Sequence, residues 1–238
     1  MKTEGRNAVT ELLKTDKTVD KILMEKGAEG SLGRIFAMAR KKNIRVQFVA
    51  RAVLDKESAD KRHQGVIAYT TDFVYSELSE LTGKEESLIV LCDGIEDVHN
   101  LGSILRVSEC AGADGVVIPA MRSATVNETV MRISAGAAEH MKVAKVNSIN
   151  HAIDDLKEEG YFVYALEAGG QSIYDQKFSG KVALVVGGED SGVKRLTKEK
   201  CDAILSIPLM GKVNSLNASV ALGIGVYEVV RARIKAAN

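Results

Sequence analysis

Three short polar segments carry the side chains best suited to chemistry. They are DGIEDVHNLGSILR from Asp93 to Arg106, GGEDSG from Gly187 to Gly192, and IPLMGKVNSLNASVALG from Ile207 to Gly223. In the third, Asn214, Ser215, Asn217 and Ser219 crowd in front of a run rich in Ala, Val, Leu and Gly. A buried helix whose first turn offers unpaired N–H groups beside Ser and Asn side chains suits a polar ligand, and the same residues also make an ordinary well-capped core helix. In the first segment Asn100 stands where a helix N-cap is expected, Gly102 leaves room for close approach, and Arg106 follows Gly102 on the same helical face. A guanidinium in the first turns of a buried helix needs an anion or a carboxylate partner, and Glu109 and Asp93 are the carboxylates at hand. In the second segment Gly187 and Gly188 let the backbone approach a ligand, while Glu189 is placed to serve that ligand or to cap the next helix. The segment is neither the G-x-G-x-x-G fingerprint nor a Walker lysine loop, which argues against a generic dinucleotide enzyme.

Each segment follows a strand. LIVLC (Leu88–Cys92), GVVIP (Gly115–Pro119), FVYAL (Phe162–Leu166), VALVV (Val182–Val186) and AILSIP (Ala203–Pro208) are short apolar runs. Helical patterns separate them over 101–111, 128–138, 150–159 and 193–201. Apolar runs without alternation, divided by helices, predict an α/β fold with a parallel sheet covered on both faces. Ligands of such sheets bind at the carboxyl ends of the strands, where the three polar segments converge.

The N-terminal part reads as a separate small α/β unit. Helical patterns cover 7–14 and 31–42, with Leu32, Ile35, Phe36 and Ala39 at i, i+3, i+4 spacing, and strand patterns cover 19–24, 45–49 and 66–69. The periodicity fades over 73–87. The expected organisation is therefore a first domain over 1–75, a linker over 76–87 and a second domain over 88–238. Net charge is zero, but residues 1–75 hold 15 Lys and Arg against 10 Asp and Glu. Arg34, Arg40, Lys41, Lys42, Arg45 and Arg51 lie close in sequence there, which suits an RNA-facing module and equally a solvated helix face. Cys92, Cys110 and Cys201 are far apart amid apolar neighbours and are expected to be buried free thiols. His63, His99, His140 and His151 show no metal-ligand spacing, so no metal is expected. The N-terminal sequence lacks the apolar core of a signal peptide and no apolar run spans a bilayer, so a cytoplasmic location is expected.

HNLGSILR, VVGGEDSGV and IPLMGKVNSLNASVALG, in this order and spacing, resemble the three motifs of the SpoU/TrmH family of RNA ribose 2′-O-methyltransferases. The resemblance covers nearly the whole chain. GRNAV near the start, HQGVIA at 63–68, RSA at 122–124 and SAGAAE at 134–139 resemble the bacterial branch that methylates a guanosine ribose in 23S ribosomal RNA. Val98 stands where the family usually has a proline and Ala218 where valine is common; both changes are apolar for apolar.

The resemblance implies a second domain with a deep trefoil knot, built around 187–192 and 207–217, that holds S-adenosylmethionine. Gly187, Gly188, Ile207, Leu209, Ser215, Leu216 and Asn217 match the cofactor positions, and Arg106, Asn100, Glu189, Ser215 and Asn217 match the catalytic ones. Arg6, Asn7, His63 and Arg122 fall in segments matching RNA contacts, and the first domain resembles an L30e-like RNA-binding domain. The family pairs as homodimers through the knotted domain, and Val220, Ile224 and Tyr227 on the last helix are candidates for that face. The implied reaction is an in-line attack of a ribose 2′-oxygen on the sulfonium methyl. A guanidinium holds its proton tightly, so orienting the ribose or an adjacent phosphate and lowering the hydroxyl's pKa suit Arg106 better than acting as the base. The alternatives are methylation of a tRNA guanosine or another ribosomal nucleotide, or a non-catalytic RNA-binding protein of ribosome assembly, against which the intact polar set speaks.

Overall fold

The computed structural model describes residues 2–15, 18–27, 30–58, 61–71, 73–188 and 192–236. Its contacts divide the chain into two compact units, 1–74 and 75–238.

The first unit is a four-stranded mixed sheet with helices on both faces. Strands β1 (Lys2–Glu4), β2 (Thr18–Glu25), β3 (Arg45–Val49) and β4 (Val66–Thr71) lie in the order β1-β4-β2-β3, with β2 and β3 parallel and the other pairs antiparallel. Helices α1 (Arg6–Leu12) and α2 (Ser31–Lys41) share one core with Ile22, Met24, Val66 and Ala68. The buried Leu32, Ile35 and Ala39 form the inward stripe of α2, as their spacing predicts. Helix α3 (Arg51–Glu57) covers the other face through Leu54, which packs with Leu23, Val49 and Ile67. Neither α3 nor β1 is anticipated by the sequence pattern, because α3 buries Leu54 alone and β1 is three residues long.

The second unit is a six-stranded parallel sheet. Strands β5 (Leu88–Asp93), β6 (Gly115–Pro119), β7 (Val143–Val146), β8 (Phe162–Ser172), β9 (Val182–Gly187) and β10 (Ala203–Ser206) lie in the order β10-β8-β9-β5-β6-β7. Every residue of β5, β6 and β9 is buried, which accounts for their unbroken apolar runs. Ile89, Leu91, Val163, Ala183 and Val185 face α7 (Ile149–Glu158), whose Ile149, Ile153 and Leu156 are buried against them. Helices α4 (Val98–Cys110) and α9 (Ala218–Ala236) pack on one another, and α9 lies so close to the sheet that a Cβ at Gly225 would sit 2.6 Å from Leu166 Cδ1. The pattern over 128–138 is two helices, α5 (Glu128–Ile133) and α6 (Ala137–His140), divided at Ala135 and Gly136, both with left-handed φ. Helix α8 (Arg195–Lys200) precedes β10.

The segment read as a linker is part of this second unit. Ser76 bridges to Ala144 on β7, a 3₁₀ turn spans 78–80, and Leu81 is buried in the core. Its polar composition hid two anchoring leucines, Leu78 and Leu81. No helix among the described residues is long and apolar enough to cross a membrane.

Candidate functional site

The carboxyl ends of β8, β9 and β10 open into a cleft of about 370 Å³. One wall is the end of β9. Gly187 and Gly188 line it, and both are tightly enclosed: a Cβ at Gly187 would lie 1.9 Å from Gly192 C, and one at Gly188 would lie 2.6 Å from Gly94 O. These are close approaches of backbone to backbone, which a side chain would forbid. Gly192 N donates to Gly188 O at 2.9 Å. The two residues that follow Gly192 are held by carboxylates. Glu167 Oε2 accepts from Val193 N at 2.8 Å, and Asp93 Oδ2 accepts from Lys194 N at 3.0 Å while its Oδ1 pairs with Lys194 Nζ at 2.6 Å.

The opposite wall is the segment after β10. Ile207, Leu209, Asn214, Ser215 and Leu216 line the cleft, and residues 208–217 are exposed. The segment ends at Asn217, which caps α9: its Oδ1 accepts from Ser219 N at 2.9 Å and from Ser219 Oγ at 2.6 Å. Asn217 Nδ2 donates to Asn100 Oδ1 at 2.9 Å, tying the start of α9 to the first turn of α4.

Of the expected cofactor residues, Gly187, Gly188, Ile207, Leu209, Ser215 and Leu216 line this cleft. Asn217 stands at its end as a cap. Asn100 is buried, but it is not the N-cap of α4; Asp97 is, accepting from His99 N at 2.8 Å. Gly102 serves helix packing rather than a ligand, since a Cβ there would meet Ile133 Cγ2 at 2.6 Å. Arg106 has an exposed side chain and pairs with neither Glu109 nor Asp93, whose carboxylate is taken by Lys194. The burial penalty expected for Arg106 therefore does not arise. Glu189 lies outside the described residues.

Sequence reasoning missed Glu167 and Lys198, both of which line the cleft. Glu167 is the first polar residue beyond the FVYAL run, at the strand edge where ligands bind, so its position was readable. Lys198 lies on α8 with no distinguishing pattern.

The cysteines are not nucleophiles of this site. Burial pushes the thiol of Cys92 up to about 12, helped by the neighbouring Asp93, and burial does the same for Cys201. Cys110 is exposed, against expectation, because it closes the last turn of α4 on the solvent side.

Of the expected RNA-contacting residues, Arg6, Asn7 and His63 belong to the first unit and Arg122 to the second. His63 is fully buried: its Nδ1 accepts from Gly65 N at 3.0 Å and its Nε2 faces Asp55 Oδ1 at 3.0 Å. It shapes the turn before β4 and offers RNA no surface. Arg6 is half-buried, with Nε donating to Gln64 O at 2.9 Å and Nη1 to Ser31 Oγ at 3.0 Å, while Asn7 is exposed. In the second unit Arg122 is exposed at left-handed φ (55°), and the next two residues are pinned to the loop after β5 by Ser123 Oγ and Ala124 N donating to Ile95 O.

The model of the SpoU rRNA Methylase family matches residues 87–227, and that for RNA 2′-O ribose methyltransferase substrate binding matches residues 3–76. The chain belongs to the SpoU/TrmH family of RNA methyltransferases. Proteins assigned by name to the TrmH family of tRNA/rRNA methyltransferases in Staphylococcus saprophyticus and Bacillus subtilis are each 39% identical to it, covering 96% of this chain and 94% of their own length. The crystal structure of the SpoU methyltransferase AviRb from Streptomyces viridochromogenes in complex with AdoMet superposes with a TM-score of 0.65 at 22% identity, over 99% of this chain and 91% of that one. At that identity the likeness speaks to the fold. SpoU methyltransferases bind AdoMet, so the cleft can be weighed against that molecule.

Proposed function

We propose that the protein methylates the 2′-oxygen of a ribose in RNA, that of a guanosine in 23S ribosomal RNA, using S-adenosylmethionine held in the cleft between β9 and the 207–217 segment. The observation that carries this reading is the junction of that cleft with the Asn100–Asn217 bond, which brings the three motifs to one sheet edge. The cleft fits the cofactor in size and chemistry. Its volume lies within the range of small-molecule sites. Leu166, Val186, Ile207, Leu209 and Leu216 supply apolar surface for a purine, Gly187 and Gly188 bare backbone for polar edges, and Glu167 and Lys198 opposite charges for an amino-acid tail.

S-adenosylmethionine supplies a methyl group on a sulfonium, a leaving group that departs neutral. The chain's own residues must bind, orient and exclude. Gly187 and the 207–217 segment hold the cofactor, and the bond between Asn100 and Asn217 fixes α4 relative to α9. Arg106, exposed on α4, orients the ribose or its phosphate and favours the developing alkoxide electrostatically. Arg122 contacts RNA from the loop after β6, and Arg6 and Asn7 contact it from the first unit, an L30e-like domain in this reading.

In the same reading the segments around 187–192 and 207–217 form a trefoil knot. Two copies of the chain pair through α9, where Val220 and Tyr227 are 50% and 48% exposed and Ile224 is half-buried. The resemblance of HQGVIA, RSA and SAGAAE favours 23S RNA, while the relatives' names carry both tRNA and rRNA and keep a tRNA guanosine as the second reading. Mapping 2′-O-methyl groups on ribosomal and transfer RNA from cells with and without the gene tests both. A missing 23S guanosine methylation is expected; loss at a tRNA position alone moves the reading to tRNA, and no loss anywhere overturns it.

A further inference from the structure

One row of side chains crosses all four strands of the first unit. Arg45 on β3 lies opposite Lys21 on β2, Lys21 lies opposite Tyr69 on β4, and Tyr69 lies opposite Lys2 on β1. Side chains directly opposite on neighbouring strands share a face. Here it is the face on which α3 packs, with Leu54 against Leu23, Val49 and Ile67 and with Glu57 reaching Lys2 and Tyr69. Tyr69 stands in the middle of the row, half-buried, with Lys21 Nζ 4.7 Å and Lys2 Nζ 5.5 Å from its ring centroid.

The charges in this row are unevenly matched. Glu57 accepts from Lys2 Nζ at 2.8 Å and from the Tyr69 hydroxyl at 2.6 Å. Those two bonds hold the Glu57 carboxyl below its ordinary value, with a smaller effect from Lys21. Among the described residues neither Lys21 nor Arg45 has a carboxylate bonded to it, and Arg45 is exposed. Two cations directly opposite on paired strands repel and destabilise the sheet. The Tyr69 ring offsets part of that for Lys21 and nothing for Arg45. An anion that bridges the two cations would relieve that repulsion.

We infer that this row is a seat for the phosphate backbone of the RNA substrate, with Lys21 and Arg45 taking phosphate oxygens beside the face of Tyr69. The inference rests on the reading of the first unit as an RNA-binding module. It adds which face of the sheet meets the RNA. Phosphate contacts are sequence-independent and release counterions, so they have a salt signature of their own. An aromatic ring between cations is the usual partner of an unstacked nucleotide.

The test uses the full chain and filter binding to a protein-free 23S RNA transcript across a series of NaCl concentrations. The variant Lys21→Gln/Arg45→Gln is compared with Lys14→Gln/Lys26→Gln, which removes two exposed cations of the first unit that lie outside the row. The first variant should lose about tenfold in affinity near 0.1 M NaCl, and its slope of log K against log salt should be shallower by about 1.5, as for two lost phosphate contacts. Its melting temperature without RNA should stay level or rise, because a repulsion has been removed, and its AdoMet affinity should not change. The second variant should stay within about twofold of wild type. Equal losses in both variants, or none in the first, overturn the seat while leaving RNA binding by the protein intact. A wild-type chain that does not bind the transcript overturns the seat and the RNA-binding reading together.

Discussion

Asn100 and Asn217, 117 positions apart in the sequence, meet in a 2.9 Å side-chain hydrogen bond that joins the first turn of α4 to the cap of α9. One amide thereby does two jobs. Its oxygen closes the N-terminus of a 19-residue helix, and its nitrogen fixes the neighbouring helix that carries Arg106. Substitutions at Asn217 separate the two. Asn217→Ala should cost about 1–2 kcal/mol in urea unfolding through loss of the cap. Asn217→Asp keeps the capping oxygen but cannot donate to Asn100, so it should unfold near the wild-type midpoint and still lose most of its methyl-transfer rate. Equal activity in Asn217→Asp and wild type would show that the bond does not position the site.

Arg106 is exposed and bonded to nothing in the protein among the described residues, so its removal should leave stability within about 0.5 kcal/mol of wild type. Arg106→Ala should abolish methyl transfer with AdoMet affinity, read by calorimetry, little changed. Arg106→Lys should also fail, since an ammonium does not reproduce the planar fork. Methyl transfer by Arg106→Ala at the wild-type rate would remove the residue from the mechanism.

Two glycines should respond in opposite ways to alanine. A Cβ at Gly187 would sit 1.9 Å from the backbone of Gly192, so Gly187→Ala must displace that backbone and should cost AdoMet binding at least tenfold. Gly33, inside α2, has nothing within 4 Å of the place a Cβ would occupy. Gly33→Ala should therefore stabilise the protein by about 0.5–1 kcal/mol, measured as a higher urea midpoint, with no effect on the cofactor.

Acid stability should depend on Asp114. Burial raises its carboxyl's pKa, but hydrogen bonds from Lys84 Nζ (2.5 Å), Ser87 Oγ (2.7 Å) and Leu88 N (3.0 Å) outweigh that and hold it below the ordinary value of 3.8. A carboxyl whose pKa is lowered by folding stabilises the protein above its unfolded pKa and loses that contribution as pH falls through its folded one. Asp114→Asn should be less stable than wild type by about 1–3 kcal/mol near neutral pH. The gap should narrow below about pH 4 in urea titrations. A gap that stays constant down to pH 2 would show that the charge is not what matters.

Pairing through α9 should fail when its exposed stripe is charged. Tyr227 is 48% exposed midway along it, so Tyr227→Glu should shift the protein from dimer to monomer in analytical ultracentrifugation. A wild-type monomer at micromolar concentration would dismiss the dimer.

The second unit was largely readable because three of its strands, β5, β6 and β9, are buried on both faces. LIVLC, GVVIP and VALVV are short, continuous and rich in β-branched residues, which favours buried strands over helices, and their observed limits fall within a residue of the expected ones. What escaped the sequence was either short or context-dependent. Strand β7 has four residues, and α3 buries one leucine, so neither repeats long enough to show a period. The site was legible in its glycines and its 207–217 segment, where residue type follows from close backbone approach. It was not legible at Arg106, because whether a helix position faces core or solvent depends on what packs there; α9 crosses α4 at the next residue, Val107. The surroundings of His63 were equally hidden, since a histidine in a turn reads alike whether it meets RNA or Asp55.

Glu167 and Asp93 grip consecutive backbone amides, those of Val193 and Lys194, from strands on either side of β9. A molecule arriving in the cleft meets on that side a jaw already closed by the sheet itself. The facing side, residues 208–217, lies in solvent along its whole length. Substitutions at the fixed jaw should therefore disturb the sheet along with the cleft, whereas substitutions at the open one can change the cleft and leave the sheet as it is.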